Sequence, residues 1–269
     1  MGDTNSVFAG SIPDLYDRHL GPVVFEPYAA DLARRVADCA GHAVLETACG
    51  TGVLTRHLRA RLPPATRLVA TDLNQPMIDH ARARLDGAGE IVWQQADCTA
   101  LPFPPASFTT LACQFGLMFV PDKPLAFREA RRVLTDGGLL AFNVWDSLAH
   151  NPYAQLVQET IGGFFPADPP RFFDVPHGFS DASAWEELLR AHRFAQPAFE
   201  RVTLELHSPA AEQLALGLVR GTPMSNAIAA RGGDFGPIVG AVAAALAQLG
   251  GAAPFRAPMR ALVVTARAR

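Results

Sequence analysis

The stretch Val44-Leu45-Glu46-Thr47-Ala48-Cys49-Gly50-Thr51-Gly52 decides how the rest of the chain is read. An apolar pair runs into an acidic residue, two glycines flank one threonine, and Val53-Leu54-Thr55-Arg56-His57-Leu58 then opens a helical pattern. That order is a strand, a tight turn and a helix start. Glycine belongs where the backbone must take φ > 0 or let a ligand approach with no Cβ in the way. The stretch lacks the third glycine of the dinucleotide fingerprint and the Lys-Ser/Thr of a phosphate loop, so it is not built to cradle a pyrophosphate.

Working outward, apolar runs alternate with helical periodicity as far as Trp145, the signature of a parallel sheet with crossover helices. The pattern predicts strands at Ala43–Glu46, Arg67–Asp72, Glu90–Gln94, Thr109–Gln114 and Leu139–Trp145, with helices near Tyr28–Cys39, Gly52–Arg61, Gln75–Leu85 and Pro124–Leu134. Thr135-Asp136-Gly137-Gly138 reads as a helix stop and turn. Beyond Trp145 the pattern changes: Ser147–Ser180 is rich in Pro, Phe and Gly and reads as irregular. A helix at Ala182–His192 and a strand at Ala198–Leu206 are expected next. Pro209–Gly250 reads as helices broken at Gly221-Thr222-Pro223 and Gly232-Gly233, and Met259–Ala266 as a last strand. The expectation is one domain over 1–269, an α/β fold with a seven-stranded, mostly parallel sheet. Inserts at about 147–180 and 208–254 would cap the active site; extra packing is the bland alternative.

Composition fits that reading. A chain of 269 residues with 49% hydrophobic content can bury one sizeable core. The net charge of -3 gives no pull toward nucleic acid or an anionic membrane surface. The 22 arginines to one lysine read as a compositional habit. Apolar stretches fall far short of the ~20 residues of a membrane span. The N-terminus shows neither a basic n-region nor an apolar h-region, so a secretory signal is not expected. Cys39, Cys49, Cys98 and Cys113 lack C-x-x-C spacing, which favours reduced thiols and a cytoplasmic location. No His/Asp/Glu cluster has metal-ligand spacing, so no metal is expected.

The Glu46-x-x-x-Gly50-x-Gly52 turn resembles motif I of the class I S-adenosylmethionine-dependent methyltransferases, in which such a turn cups the methionine end of the cofactor. Val44–Trp145 as a whole is similar to the ubiquinone/menaquinone C-methyltransferase-like branch. The matching pieces are Ala96-Asp97-Cys98-Thr99-Ala100-Leu101-Pro102-Phe103, Phe115-Gly116-Leu117 and Arg132-Val133-Leu134-Thr135-Asp136-Gly137-Gly138. The resemblance implies a Rossmann-like methyltransferase fold and S-adenosylmethionine, leaving S-adenosylhomocysteine as product. It does not carry over the quinone substrate, because the N-terminus and the region beyond Trp145 depart from that branch.

Ligands of open α/β sheets bind outside the carboxyl ends of the strands. Glu46 closes the first strand, where a carboxylate can attract the cofactor's α-ammonium; its alternative is a partner for the next helix dipole. Ala48 shares the turn with the glycines. Asp72, 20 residues past Gly52, is placed to take both ribose hydroxyls; its alternative is an N-cap, a role Asn74 is expected to fill. Asp97 would accept from the adenine amino group and the Cys98 amide donate to a ring nitrogen, with Leu73 and Met77 on the adenine faces. Gln114 would hold the methionine moiety, and Met118, Phe119, Trp145, Phe172 and Phe173 would face the acceptor.

Phe8-Ala9-Gly10-Ser11-Ile12-Pro13-Asp14-Leu15-Tyr16-Asp17-Arg18-His19 resembles the Tyr-Asp element that folds over the cofactor in many small-molecule methyltransferases. It implies Tyr16 at the methionine carboxylate and His19 one helical turn further, as a candidate base. A surface or capping histidine is the alternative, and His150 and His177 are rival bases. The resulting expectation is a cytoplasmic enzyme of secondary metabolism, either monomer or homodimer, methylating a small aromatic or hydrophobic molecule at O, N or C. The same fold and cofactor used for a cyclisation, or a non-catalytic cofactor-binding protein, are the rivals.

Overall fold

The runs Ala43–Thr47 and Leu68–Asp72 carry no polar alternation, as strands covered by helices on both faces require, and every residue of both is buried. In the computed structural model of the chain, which describes residues 12–39 and 41–269, they lie inside a seven-stranded sheet. Phe8, Ala9, Gly10 and Ser11 of the N-terminal element fall outside the described residues. The strands are β1 (Ala43–Thr47), β2 (Arg67–Asp72), β3 (Val92–Gln95), β4 (Phe108–Gln114), β5 (Leu134–Trp145), β6 (Phe194–Ser208) and β7 (Phe255–Ala268). Their order is β3-β2-β1-β4-β5-β7-β6, with β1 to β5 parallel and β7 antiparallel to β5. The strand order therefore reverses between β1 and β4, which pair with Glu46 opposite Ala112 and Thr47 opposite Cys113.

The helices are α1 (Ile12–His19), α2 (Glu26–Ala37), α3 (Val53–Arg61), α4 (Gln75–Arg84), α5 (Lys123–Val133), α6 (Pro152–Gly162), α7 (Asp174–His177), α8 (Ala182–Ala191), α9 (Ala211–Arg220), α10 (Met224–Ala230) and α11 (Phe235–Gly250). The stretch Ser147–Ser180 is thus not irregular throughout. Asn151-Pro152 places a proline at the first helical position, where its missing N–H costs nothing, and α6 runs on from there. The third strand begins at Val92 rather than Glu90, since ladder pairing with β2 starts at Val69 opposite Val92. The last two strands are longer than their apolar centres suggest. β6 lies at the sheet edge, the place in a sheet where a proline such as Pro197 is tolerated.

Two compact units divide these elements. Tyr28–Trp145, Phe179–Val202 and Ala261–Arg269 hold β1 to β5 with α2 to α5 and α8. On one side of the sheet here, Phe127 and Phe142 pack edge-on, and both meet Trp185, which is fully buried. Residues 12–27, Asp146–Gly178 and Thr203–Arg260 form the second, mainly helical unit. There α11 packs on α6 and α9, and α1 packs on α9. Gly217 of α9 makes the last contact possible: a Cβ there would come within 2.7 Å of Leu20 and 2.8 Å of His19. Phe172 and Phe173 are buried in this unit with their rings 5.2 Å apart.

The helical unit is pinned where α6 begins. Asn151 is fully buried; its Nδ2 donates to the carbonyls of Asp146, Ser147 and Arg260, each at 3.1 Å, and its Oδ1 accepts from the Arg260 amide at 2.9 Å. Arg260 also donates from Nε to Asp146 Oδ2 at 2.7 Å. Replacing Asn151 with Ala would take its amide from the Arg260 N–H, while the Ser147 and Arg260 carbonyls keep their backbone donors and the Asp146 carbonyl keeps His177 beside it; one buried group left unpaired costs about 1–3 kcal/mol. Denaturant unfolding of Asn151→Ala is expected to show a loss of about 1–3 kcal/mol by that arithmetic. A loss below about 1 kcal/mol would mean that water replaces the amide at no cost.

Candidate active site

Four neighbouring strand ends meet the reversal of strand order, and each carries a polar residue singled out from the sequence: Glu46 on β1, Asp72 on β2, Asp97 after β3 and Gln114 on β4. The turn after β1 holds three residues with left-handed backbone angles, Ala48 at φ 54°, Gly50 at 55° and Gly52 at 81°. Alanine in that region costs of order 1–2 kcal/mol. The surrounding bonds hold it: Cys49 N–H donates to Thr71 O and Gly50 N–H to Asp72 Oδ2, both at 2.9 Å.

Asp72 is more than a ribose candidate in this arrangement. Its second oxygen accepts from the Asn74 amide at 2.8 Å, so one carboxylate ties the turn after β1 to the start of α4. Asn74 stands at the α4 N-cap but makes no side-chain capping bond, which corrects the expectation that it caps the helix; its amide group turns back to Asp72. A carboxylate accepts at about four lone-pair positions, and the Gly50, Asn74 and Leu73 amides and the Asn74 side chain already point at them, so a ribose diol would take the place of one or more of these donors. Burial raises the Asp72 carboxyl above its usual range, and donors at Asn74, Gly50 and Leu73 recover part of that.

The two glycines of the turn have different surroundings. A Cβ on Gly52 would press on Leu85 at 3.0 Å and Ala81 at 3.1 Å, so its bareness lets the turn close against α4. A Cβ on Gly50 would meet nothing within 4 Å. Gly50 borders open space. A third glycine, Gly116, belongs to the Phe115-Gly116-Leu117 motif, and the sequence alone gives it no role. A side chain there would overlap Ala48 Cβ and crowd Cys113 Sγ, so the loop after β4 can lie on the turn after β1 only because residue 116 is glycine.

Glu46 is 1% exposed, and its Oε2 lacks a hydrogen-bond partner among the described residues. Burial pushes its carboxyl up to about 8; the Asp72 carboxylate adds to the rise and the Thr55 hydroxyl offsets part of it. Leu73 is 52% exposed although apolar, whereas Met77 on α4 is buried. Asp97 is exposed, and its Oδ1 accepts from both the amide and the hydroxyl of Thr99, closing a turn. Burial drives the Cys98 thiol up to about 12, so it stays neutral.

After β4, Phe115 takes φ 51°, held by its amide donating to Asn143 Oδ1 at 3.1 Å. Its ring stacks on Trp145 at 3.9 Å, and Tyr28 meets both rings edge-on at 5.4 Å. Met118 is buried nearby in sequence and Phe119 half-buried. Nothing in the sequence marks Phe115, Tyr28 or Asn143 as site residues; a stack between two strand ends leaves no local signal. Tyr16, His19, Phe172 and Phe173 belong to the helical unit. There Tyr16 stacks on Phe25 at 4.7 Å, and His19 is held below its usual pKa by burial and by Arg18. His177 is buried, with Nδ1 2.7 Å from the Asp146 carbonyl, and burial lowers it to about 4.

These features fit S-adenosylmethionine. An unpartnered buried acid suits its α-ammonium, the bare Gly50 leaves room for its methionine end, and a carboxylate closing β2 suits the ribose diol. The exposed Leu73 beside it suits a flat purine. A small apolar cavity lined by Thr47, Cys98, Leu117, Phe127 and Leu140 has room for about one water at 10 Å³ and does not compete as the ligand site.

Comparison with known proteins agrees. Residues 44–138 match a family model described as a methyltransferase domain. The chain is 31% identical over 176 residues to the ubiquinone/menaquinone biosynthesis C-methyltransferase UbiE of Saccharophagus degradans, covering 61% of this chain and 71% of that protein. It is 40% identical over 101 residues to the 2-phytyl-1,4-naphtoquinone methyltransferase of Thermosynechococcus vestitus, covering 38% of this chain and only 45% of that protein. Among solved structures, the YcgJ protein of Bacillus subtilis aligns with a TM-score of 0.58 at 19% identity, over 90% of this chain and 99% of that one. The 4+2 cyclase SpnF aligns at 0.57 and 22% identity, over 90% and 80%. The chain belongs to the class I S-adenosylmethionine-dependent methyltransferases and is related to UbiE. It is an enzyme whose methyl donor is S-adenosylmethionine.

Gly50→Val forces a β-branched residue into the left-handed region at the mouth of the turn, a genuine outlier. The variant is expected to stay folded yet lose the rise in melting temperature that S-adenosylhomocysteine gives the parent; an equal rise in both would remove Gly50 from the cofactor site.

Glu46 makes a second test. Its folded value of about 8 lies above its ordinary 4.5, so the stability it contributes is complete below pH 4.5 and is lost as the pH climbs to 8. Glu46→Gln keeps the shape and removes the titration. In ligand-free protein the variant's stability relative to the parent is expected to grow between pH 5 and 8 and then level off. A difference that does not change with pH would show that Glu46 titrates normally.

Proposed function

We propose that the enzyme transfers the methyl group of S-adenosylmethionine to a small aromatic or hydrophobic molecule. The observation that carries the acceptor class is the stack of Phe115 on Trp145 with Tyr28 across both edges, at the carboxyl ends of β4 and β5. Apolar and aromatic walls with few polar groups are what small-molecule sites are made of. The Saccharophagus and Thermosynechococcus relatives carry quinone names, which supports a compact ring as acceptor; the quinone itself is not carried over.

In this reading Glu46 holds the cofactor's α-ammonium, Asp72 the ribose hydroxyls and Gln114 the methionine moiety. Leu73 and Met77 flank the adenine, whose edge meets Asp97 and the Cys98 amide, while Met118, Phe119 and Trp145 border the acceptor. Ala48, Gly50 and Gly52 give the turn its shape. The bound sulfonium supplies an already activated methyl group, so the protein's task is in-line positioning and exclusion of water. An O- or N-acceptor also needs a group to take its proton. His19 and His177 are both held neutral near pH 7, and His177 in addition has its tautomer fixed if Nδ1 donates to the Asp146 carbonyl. The proposal extends to a cytoplasmic enzyme of secondary metabolism forming a homodimer, with fractionation and sedimentation as the checks. Among the described residues no helix is long and apolar enough to cross a membrane.

Methyl-labelled S-adenosylmethionine incubated with phenols, amines, carboxylic acids and quinols is expected to yield a labelled aromatic product together with S-adenosylhomocysteine. Label found only on carboxylic or aliphatic amine acceptors would overturn the aromatic class. An acceptor converted at unchanged mass while the cofactor is recovered intact would replace methyl transfer by ring closure.

A further inference from the structure

Glu46 holds one charge before a ligand arrives and can hold another once the ligand is bound, provided that S-adenosylmethionine sets its ammonium there as proposed. The ionisable groups that face its carboxyl are Asp72 from β2, the Cys49 thiol from the turn and the Cys113 thiol from β4. None is a cation, and Asp72 as an anion repels a second negative charge. An ionised Glu46 would be shielded from solvent, with no cation among these groups and no donor at Oε2 among the described residues, and the Thr55 hydroxyl offsets only part of that cost. Such a group lies lower in free energy as the neutral acid. An ammonium placed within ~4–6 Å reverses the preference.

We propose that S-adenosylmethionine binds to a protonated Glu46 and expels its proton. The carboxyl O–H bond breaks, the proton passes to solvent, the ligand's ammonium keeps its hydrogens, and no electrons are exchanged. Binding therefore swaps one proton for one ammonium at a buried carboxyl. Cofactor affinity accordingly falls as the medium becomes acidic, and adenosine compounds without the amino-acid end escape that dependence.

Titration calorimetry of the whole protein at pH 7, in buffers of different ionisation enthalpy, counts the protons. S-adenosylhomocysteine carries the ammonium; 5′-methylthioadenosine carries the same adenosine and sulfur without it. Any proton that Asp72 releases on meeting the ribose appears with both ligands and cancels in the difference. The expected excess for S-adenosylhomocysteine is close to one proton, since Glu46 at about 8 is mostly protonated at pH 7. Its affinity relative to 5′-methylthioadenosine is expected to weaken about tenfold per pH unit below 8. Glu46→Gln should erase the excess and the slope while leaving 5′-methylthioadenosine binding unchanged. If S-adenosylhomocysteine binds, and Glu46→Gln weakens it, but no excess proton is released, the proton exchange is overturned and the cofactor reading stands. If the ligand fails to bind, or binds equally well to Glu46→Gln, the placement of Glu46 in the site falls and the exchange falls with it. Should the variant fail to fold, the proton count on the parent decides alone.

Discussion

The Gly50 amide donating to Asp72 Oδ2 at 2.9 Å is the contact on which the site's geometry depends. It joins the turn after β1 to the end of β2, and the other oxygen of the same carboxylate reaches the Asn74 amide at 2.8 Å. Hydrogen bonds to a charged acceptor contribute about 1.5–3 kcal/mol each, more than neutral ones. That is enough to hold Ala48 and two glycines in left-handed backbone angles within five consecutive residues. Backbone bonds from Cys49 to Thr71 O and from Ala96 to Asp72 O continue the same seam to the end of β3. Three loops that would otherwise move independently thus share one set of donors and acceptors.

Within that frame the glycines divide the work. Gly52 lets α4 close on the turn, and Gly116 lets the loop after β4 lie on Ala48. Gly50 alone borders open space, which is the property a ligand needs. The distinction matters for reading substitutions: at residues 52 and 116 a side chain meets protein and disturbs the fold, whereas a Cβ at residue 50 meets no protein atom within 4 Å.

The sheet and the acidic positions were legible because each depends on local pattern. Glu46, Asp72, Asp97 and Gln114 end or follow apolar runs whose spacing fixes them at adjacent strand termini. What escaped depends on distance in space. The stack of Phe115 on Trp145 joins two strands through tertiary packing. The dual use of Asp72 became visible only once the Gly50 amide was seen beside it. Helix α6 was obscured by the Pro, Phe and Gly around it, although Asn151-Pro152 is a fair helix-start signal. Asn151 itself gave no hint of four hydrogen bonds, since its partners lie across a turn or on a strand far along the chain.

Glu46 and Asp72 show how one residue class at equivalent strand ends meets burial in different ways. Both are buried and both are raised by burial. Asp72 meets its desolvation with backbone donors at Gly50, Asn74 and Leu73, so an anion there has partners. Glu46 has no comparable set, and its neighbours include that very anion. The free energy of keeping two carboxyls so close is therefore least when only one of them is ionised, the same logic by which paired acids elsewhere divide their roles. A fold selected for stability alone would place an apolar side chain at residue 46. An acid there gives up that stability unless a positive charge meets it, which is the part proposed for the ligand's ammonium.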